Sequence, residues 1–178
     1  GLLALMLLTD SRREARTAAD GRLVPLDEQN RDQWNAASVA EGVALITDAL
    51  AHASLGPYQV QAAIAAVHGE APTAEQTDWV QIVVLYDMLR RLDPGPMVYL
   101  NRAVAVGMAQ GAAAGLAALT EIETRGKLAR HHRFHAVRAH LLEREGDVES
   151  ARQAYRLAAS LTMSLPEQRY LSERADRL

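Results

Sequence analysis

Four histidines in the last third of the chain have the residue type and spacing closest to a chemical site. His131, His132 and His135 are followed by His140. On a helix, His131 and His135 would share one face at the spacing of a two-histidine metal site. Two ligands do not complete a site, the sequence has no cysteine, and the arginines flanking these histidines would repel a cation. The pattern therefore predicts a polar helix start that holds no metal and no cofactor.

Carboxylates, glycines and serines form no other recognisable catalytic pattern. Glu70 and Asp78 are one candidate pair of carboxylates, and nothing in the sequence places them in the apolar surroundings that tune a catalytic acid. The glycines at 107, 111 and 115 lack the Lys-Ser/Thr pair of a nucleotide-binding loop and are typical of closely packed helices. No serine lies in a nucleophile-elbow sequence. We therefore expect that the chain is not an enzyme.

The remaining polar residues favour binding. Asn101 and Arg102 lie on one predicted helix, and His140 and Arg144 lie on another. In a helical repeat, the first helix of each pair lines a groove that holds a peptide or a protein segment. Asparagine beside arginine could bind a carboxylate or a carbonyl oxygen through charge-assisted hydrogen bonds. We predict that these four residues contact a regulatory protein or peptide; the alternative is that Asn101 only fixes a loop between helices.

The composition indicates that helices carry these residues. Hydrophobic residues make up 49% of the chain but aromatic residues only 4%, and alanine supplies much of the difference. Alanine is the strongest helix former because it loses no side-chain entropy on folding. The net charge of -3 argues against a standing nucleic-acid-binding surface. The absence of cysteine excludes disulfides and thiolate metal sites, and favours a reducing, cytoplasmic location.

The apolar run at residues 2–8 is too short to cross a bilayer, so no membrane contact is expected. Charged residues follow it directly, without a cleavage site, which argues against a signal peptide. We expect that residues 2–8 belong to a buried helix and that the sequence starts part-way along this helix, as a fragment whose N-terminal portion is missing. Arg12, Arg13 and Arg16 are interpreted as the solvated end of that helix.

Glycine and proline breaks divide the chain into about nine predicted helices. The expected spans are 2–19, 31–53, 58–68, 73–92, 97–110, 112–124, 134–145, 148–161 and 166–178. Asn30, Thr73 and Ser164 are the predicted N-caps, the last two because an acidic residue or glutamine follows three positions later. The prediction is an all-α domain over 1–178, with an N-terminal helical subregion at 1–70 and repeats at 71–178.

The repeat prediction depends on a triplet of positions that recurs at intervals of about 35 residues. The aligned triplets are Ala151, Tyr155 and Ala158; Leu116, Thr120 and Glu123; and Ile82, Tyr86 and Leu89. The first has the small-aromatic-small spacing of a tetratricopeptide repeat, in which antiparallel helix pairs form a right-handed superhelix. An alanine-rich bundle with accidental periodicity is the alternative.

Five stretches of the sequence resemble the segment that follows the DNA-binding regions in one group of bacterial extracytoplasmic-function sigma factors. They are residues 1–16 (GLLALMLLTDSRREAR), 20–34 (DGRLVPLDEQNRDQW), 56–68 (GPYQVQAAIAAVH), 78–79 (DW) and 96–105, which reads Pro96-x3-Leu100-Asn101-Arg102-Ala103-Val104-Ala105. The resemblance extends over essentially the whole chain, and its first block is specific. One departure is Asn30, where the family has an acidic residue; asparagine caps a helix equally well.

The resemblance implies a protein that binds core RNA polymerase and directs it to selected promoters. Promoter DNA would be contacted only by N-terminal sigma regions that this sequence does not include. The extension would be a tetratricopeptide-like module that regulates its own sigma domains in place of a membrane-bound anti-sigma factor. Two alternatives are a free-standing tetratricopeptide-like adaptor that binds a partner peptide, and a helical enzyme or small-molecule sensor, which would need a closed polar pocket.

Overall fold

The computed structural model describes residues 1–124 and 128–178. Over these ranges every regular element is helical, with nine α-helices joined in part by short 3₁₀ turns, which confirms the all-α prediction. The chain forms two compact units. Unit 1 contains residues 1–20 and 24–94, and unit 2 contains residues 21–23 and 95–178. None of the described helices is both long enough and apolar enough to cross a membrane.

Unit 1 is built from four helices: α1 (Leu2–Asp10), α2 (Ala36–His52), α3 (Pro57–Glu70) and α4 (Trp79–Leu92). Helix α1 packs on both α2 and α3, and α3 packs on α4. The core is small and alanine-rich, with Ala4 and Leu8 of α1 against Ile46 and Ala62. Helix α4, which the sequence assigned to the repeats, therefore belongs to the same unit as the N-terminal helices.

The first helix ends at Asp10, so the predicted span of 2–19 is wrong. Ser11 is buried, and its hydroxyl donates to the carbonyl of Leu8 at 2.9 Å, while Arg16 donates to the carbonyl of Thr9. Side chains thus donate hydrogen bonds to carbonyl groups of the last turn. In a continuing helix, backbone N–H groups would bond these carbonyls instead. The chain then forms a 3₁₀ turn at Glu14–Arg16.

Two N-cap predictions are wrong, and a third, Ser164, is correct in position only. Asn30 caps only the 3₁₀ turn Arg31–Gln33, and α2 is capped by Asn35, whose Oδ1 accepts from the backbone N–H of Ser38 at 3.0 Å. Helix α4 is capped in the same way by Asp78, not by Thr73. The side chain of Ser164 makes no capping bond to its helix.

Unit 2 contains the remaining five helices: α5 (Pro96–Gln110), α6 (Ala112–Thr124), α7 (His132–Glu145), α8 (Val148–Leu161) and α9 (Leu165–Arg177). Each helix packs on the next along the chain, and α5 also contacts α7. Contact between the first helices of successive pairs is what stacked helix pairs require. Helices α5–α6 and α7–α8 are the two pairs.

The repeat register on α6 is one residue earlier than predicted. Thr120 and Glu123 are exposed, whereas the buried positions of α6 that match the triplet spacing are Gly115, Leu119 and Ile122. The α5–α6 turn is Gly111 alone, but the α7–α8 turn has both Gly146 and Asp147. The shorter turn shifts the second helix of the pair by one position, so the middle repeat is less degenerate than the sequence suggested.

The glycines at 107 and 115 allow α5 and α6 to pack closely, as predicted. A Cβ added to Gly115 would lie 2.8 Å from the Cα of Gly107, and a Cβ on Gly107 would clash with the side chain of Leu141. Gly111, between them, has φ +101°, a backbone conformation that favours glycine.

Candidate functional site

The four residues predicted to contact a partner lie on α5 and α7, the first helices of the two pairs in unit 2. Asn101 is exposed and Arg102 half-buried on α5, while His140 is half-buried and Arg144 exposed on α7. Arg102 and His140 already interact with other residues of the chain. The two helices are in contact. The role of these residues in partner binding stays a prediction.

The histidines at the start of α7 each have a separate contact. His131 caps the helix, with Nδ1 accepting from the backbone N–H of Arg133 at 3.2 Å. His132 Nε2 lies 3.3 Å from a carboxylate oxygen of Glu167. His135 is buried, with Nε2 2.9 Å from the carbonyl oxygen of Ala129. Across residues 1–124 and 128–178, no three histidine or acidic side chains come together as a metal site.

A group of cationic and aromatic side chains lies close together in unit 1. We name it the arginine–tryptophan cluster, and its members are Arg12, Arg31, Trp34, His68 and Trp79. The guanidinium carbons of Arg31 and Arg12 lie 4.6 Å and 5.7 Å from the centre of the Trp34 ring. His68 meets Trp79 edge to face, with ring centres 5.2 Å apart. The interpretation of Arg12 as part of a solvated helix end is therefore wrong.

Arg31 holds the cluster together because both terminal nitrogens of its guanidinium donate to protein oxygens. Nη1 donates to the carbonyls of His68 and Ala71, the latter at 2.7 Å, and Nη2 donates to Thr77 Oγ1 at 3.4 Å. These bonds tie the 3₁₀ turn at Arg31–Gln33 to the connection between α3 and α4. Trp34, directly after that turn, is thereby fixed beside the end of α1.

Burial and mutual repulsion perturb the titratable groups of the cluster. Burial, followed by the charges of Arg16 and Arg31, lowers the pKa of Arg12 to about 10. Burial, followed by Arg12 and Arg31, lowers the pKa of His68 to about 4, so its imidazole is neutral at neutral pH. Several positive charges thus share one partly dry region.

Three polar groups of the cluster have no partner within the described ranges, 1–124 and 128–178. Within those ranges the guanidinium of Arg12 contacts the Trp34 ring but makes no hydrogen bond and no ion pair. Trp34 Nε1 and His68 Nδ1 are buried without a hydrogen-bond partner, and Trp34 as a whole is only 8% exposed. An unsatisfied buried polar group costs about 1–3 kcal/mol and is uncommon in folded proteins.

An open groove of about 610 Å³ adjoins this cluster. Arg31 and Trp34 line it together with apolar residues of α2, including Val39 and Val43, and with the residues that end α3. Trp34 therefore belongs both to the cluster and to the wall of the groove.

Unit 2 contains a second partly buried arginine, Arg174 of α9, in different surroundings. Its Nε lies 3.1 Å from both carboxylate oxygens of Glu143, and its Nη2 lies 2.8 Å from Oε1. Tyr155 Oη donates to Glu143 Oε2 at 2.7 Å. Burial alone would raise the pKa of Glu143, but the bonds from Arg174 and Tyr155 lower it. The three residues tie α7, α8 and α9 together.

Comparison with known proteins gives two similarities. Residues 1–50 match a family of unknown function (DUF6596). The whole chain is 42% identical over 178 residues to an uncharacterized protein of Rhizobium meliloti (strain 1021), of which it spans only 42% of the length. No solved structure shows significant similarity. The matched family region includes Arg12, Arg31 and Trp34, which also lie in the stretches that carry the sigma-factor resemblance; that coincidence was the available signal for the cluster.

Proposed function

We propose that this chain is the regulatory C-terminal part of an extracytoplasmic-function sigma factor and modulates promoter-dependent transcription initiation through protein–protein contacts. The observation that carries the proposal is the arrangement of α5–α8 as two stacked helix pairs, in the same chain as the residues that resemble the sigma-factor extension. Stacked helix pairs present extended surfaces that bind peptides and protein segments. The proposed role is non-enzymatic, and the proposed location is the cytoplasm.

The size of the Rhizobium meliloti relative supports this proposal. The chain covers 42% of that protein, so more than half of the relative lies outside the region of similarity. That remainder has room for the two helical sigma regions that the resemblance implies. In this proposal, core RNA polymerase and the sigma regions are the partners, and promoter DNA is contacted only through those regions.

The surface proposed for these contacts is formed by α5 and α7. Asn101 and Arg144 are exposed on the first helices of the two pairs. Together with Arg102 and His140, they are proposed to hold either the sigma regions of the same protein or a regulatory peptide. An asparagine amide and an arginine guanidinium suit carboxylate or backbone carbonyl groups on such a segment.

Transcription in vitro tests the proposal. Core RNA polymerase is combined with the Rhizobium meliloti relative, either whole or without the region similar to this chain. We expect promoter-dependent transcription from the whole protein, and a change in transcript yield in either direction when the region is removed. Equal yields from the two forms would contradict the regulatory role and favour a docking adaptor. No promoter-dependent transcription from either form would contradict the sigma-factor assignment itself.

A double substitution tests the proposed surface. In the full-length protein that carries this chain, Asn101→Ala with Arg102→Ala should alter the transcript yield while the helical content, followed by circular dichroism, stays unchanged. Arg156→Ala is a matched control, because Arg156 is 63% exposed on α8, the second helix of its pair. Transcript yields that do not distinguish the double variant from this control would remove Asn101 and Arg102 from the proposed surface.

A further inference from the structure

We propose that the arginine–tryptophan cluster of unit 1 is a binding site for an oxyanion, with the guanidinium of Arg12 as its principal ligand. The chemical class is a carboxylate or phosphate group. This site is separate from the surface proposed on α5 and α7 and does not depend on the transcriptional role.

The first observation is the state of Arg12. Its side chain is half-buried, yet within residues 1–124 and 128–178 its guanidinium meets only the ring of Trp34 and no hydrogen-bond acceptor. Arginine has five N–H donors in a planar fork and no acceptor, and this fork matches two oxygens of a carboxylate or phosphate. A partly dry guanidinium with unused donors is therefore suited to an oxyanion from outside the chain.

The second observation is that the neighbouring free groups also suit an anion. Trp34 Nε1 can only donate, and it is buried without an acceptor in the described part of the chain. His68 Nδ1 is likewise buried without a partner, and a neutral imidazole carries one N–H that either nitrogen can hold. The two groups belong to different elements: both arginines lie over the Trp34 ring, and the charges of both act on His68, whose backbone carbonyl accepts from Arg31.

The third observation is the local charge. The charges that act on Arg12 are those of Arg16 and Arg31, and both are positive. Arg31 itself is bonded to neutral oxygens, the carbonyls of His68 and Ala71 and the hydroxyl of Thr77. The exposed carboxylate of Glu75 also acts on Arg31, but burial outweighs it and the pKa of Arg31 stays lowered. A region of low dielectric that concentrates positive charge attracts anions and disfavours cations. These three observations converge on one class of ligand.

Isothermal titration of the whole 178-residue chain tests this site, with inorganic phosphate in one experiment and succinate in another, at constant ionic strength. We expect saturable binding of at least one probe to one site per chain, and the tighter probe identifies the preferred oxyanion. Arg12→Met should weaken binding at least about tenfold, because it removes charge-assisted hydrogen bonds. Arg12→Lys should also weaken it, because lysine keeps the charge but lacks the planar fork.

Arg13→Met is the matched control. Arg13 is adjacent in sequence, but its side chain is 73% exposed and paired with Asp10, so its removal should leave the affinity unchanged. Absence of saturable binding for both probes would overturn the proposal. Equal weakening by Arg12→Met and Arg13→Met would also overturn it, since binding would then reflect only the general charge of this surface.

Discussion

Arg12 in unit 1 and Arg174 in unit 2 are both partly buried arginines, and their surroundings are opposite. Arg174 meets the carboxylate of Glu143, which also accepts from Tyr155, and the hydrogen bond to Glu143 raises the pKa of Arg174. Arg12 lies over an aromatic ring, and burial, followed by the charges of Arg16 and Arg31, lowers its pKa to about 10. Arg174 completes a hydrogen-bond network, whereas the N–H donors of Arg12 bond no acceptor among the described residues.

This difference separates a structural role from a binding role. The Glu143 network joins three helices and satisfies its members, so it stabilises unit 2. The arginine–tryptophan cluster contains polar groups that no described residue satisfies, and such groups destabilise the fold unless another molecule satisfies them. Departures from local satisfaction are typical of functional sites. The comparison therefore predicts that the two regions respond differently to substitution, to acid and to added anions.

The largest expected effect is the loss of the complete network. Glu143→Ala leaves Arg174 and Tyr155 without their shared acceptor, and we expect it to lower the free energy of unfolding by roughly 3 kcal/mol, less than a fully buried pair would lose because the site is partly solvated. Urea unfolding followed by circular dichroism measures this. Glu145→Ala, at an exposed position on the same helix, is the control and should have little effect. Equal effects of the two would show that the network does not stabilise unit 2.

Mild acid should destabilise unit 1 through His68. Its pKa of about 4 in the folded chain lies below the ordinary value of 6.5, so the unfolded chain binds the proton first as the pH falls. The free energy of unfolding should therefore begin to fall near pH 6.5, and should lose roughly 2 kcal/mol between about pH 7 and pH 5. Both tryptophans of the chain lie in unit 1, so tryptophan fluorescence during urea unfolding reports on it.

His68→Phe is the control for this pH dependence. Phenylalanine keeps an aromatic ring beside Trp79 but cannot bind a proton, so its unfolding free energy should change much less over the same interval. The assignment of the pH effect to His68 would be wrong if the variant lost as much stability as the original chain.

The smallest expected effect concerns Arg12 itself. Without an added anion, Arg12→Met should change the free energy of unfolding by less than about 1 kcal/mol, because lost contact with Trp34 is offset by relief of repulsion from Arg16 and Arg31. Arg174→Met should cost about 2 kcal/mol, because it leaves Glu143 without its cation. Urea unfolding measures the free energy of unfolding of both variants. Equal losses in Arg12→Met and Arg174→Met would contradict the proposed difference between a binding role and a structural role.

Local sequence patterns predicted much of the fold, but not the cluster. The span of α8 was predicted correctly because Gly146 and Asp147 mark its start within the sequence itself. The length of α1 was wrong because Ser11 and Arg16 bond carbonyls that a pattern of apolar residues does not reveal. The buried positions of α6 lie one residue earlier than predicted, because a fixed repeat period does not account for a turn that is one residue shorter.

The site depended on contacts between residues that are distant in the sequence. Arg31 bonds the carbonyl of Ala71, 40 positions away, and Arg12 reaches Trp34 only because the chain turns back after α1. No helical or repeat spacing connects these residues, so the sequence pattern indicated only a basic group at the solvated end of the predicted first helix. Their convergence follows from the packing of the 3₁₀ turns against the ends of α1 and α3.

The most direct test of the central claim follows the indole N–H of Trp34 by ¹H–¹⁵N nuclear magnetic resonance. The chain has two tryptophans, so Trp79→Phe assigns the two indole signals. If the cluster binds an oxyanion, adding phosphate or succinate should shift the Trp34 signal saturably, and the shift should disappear in Arg12→Met. A Trp34 signal that stays unchanged at saturating concentrations of both anions, or that shifts equally in Arg12→Met, would contradict the claim that these unsatisfied groups form a binding site.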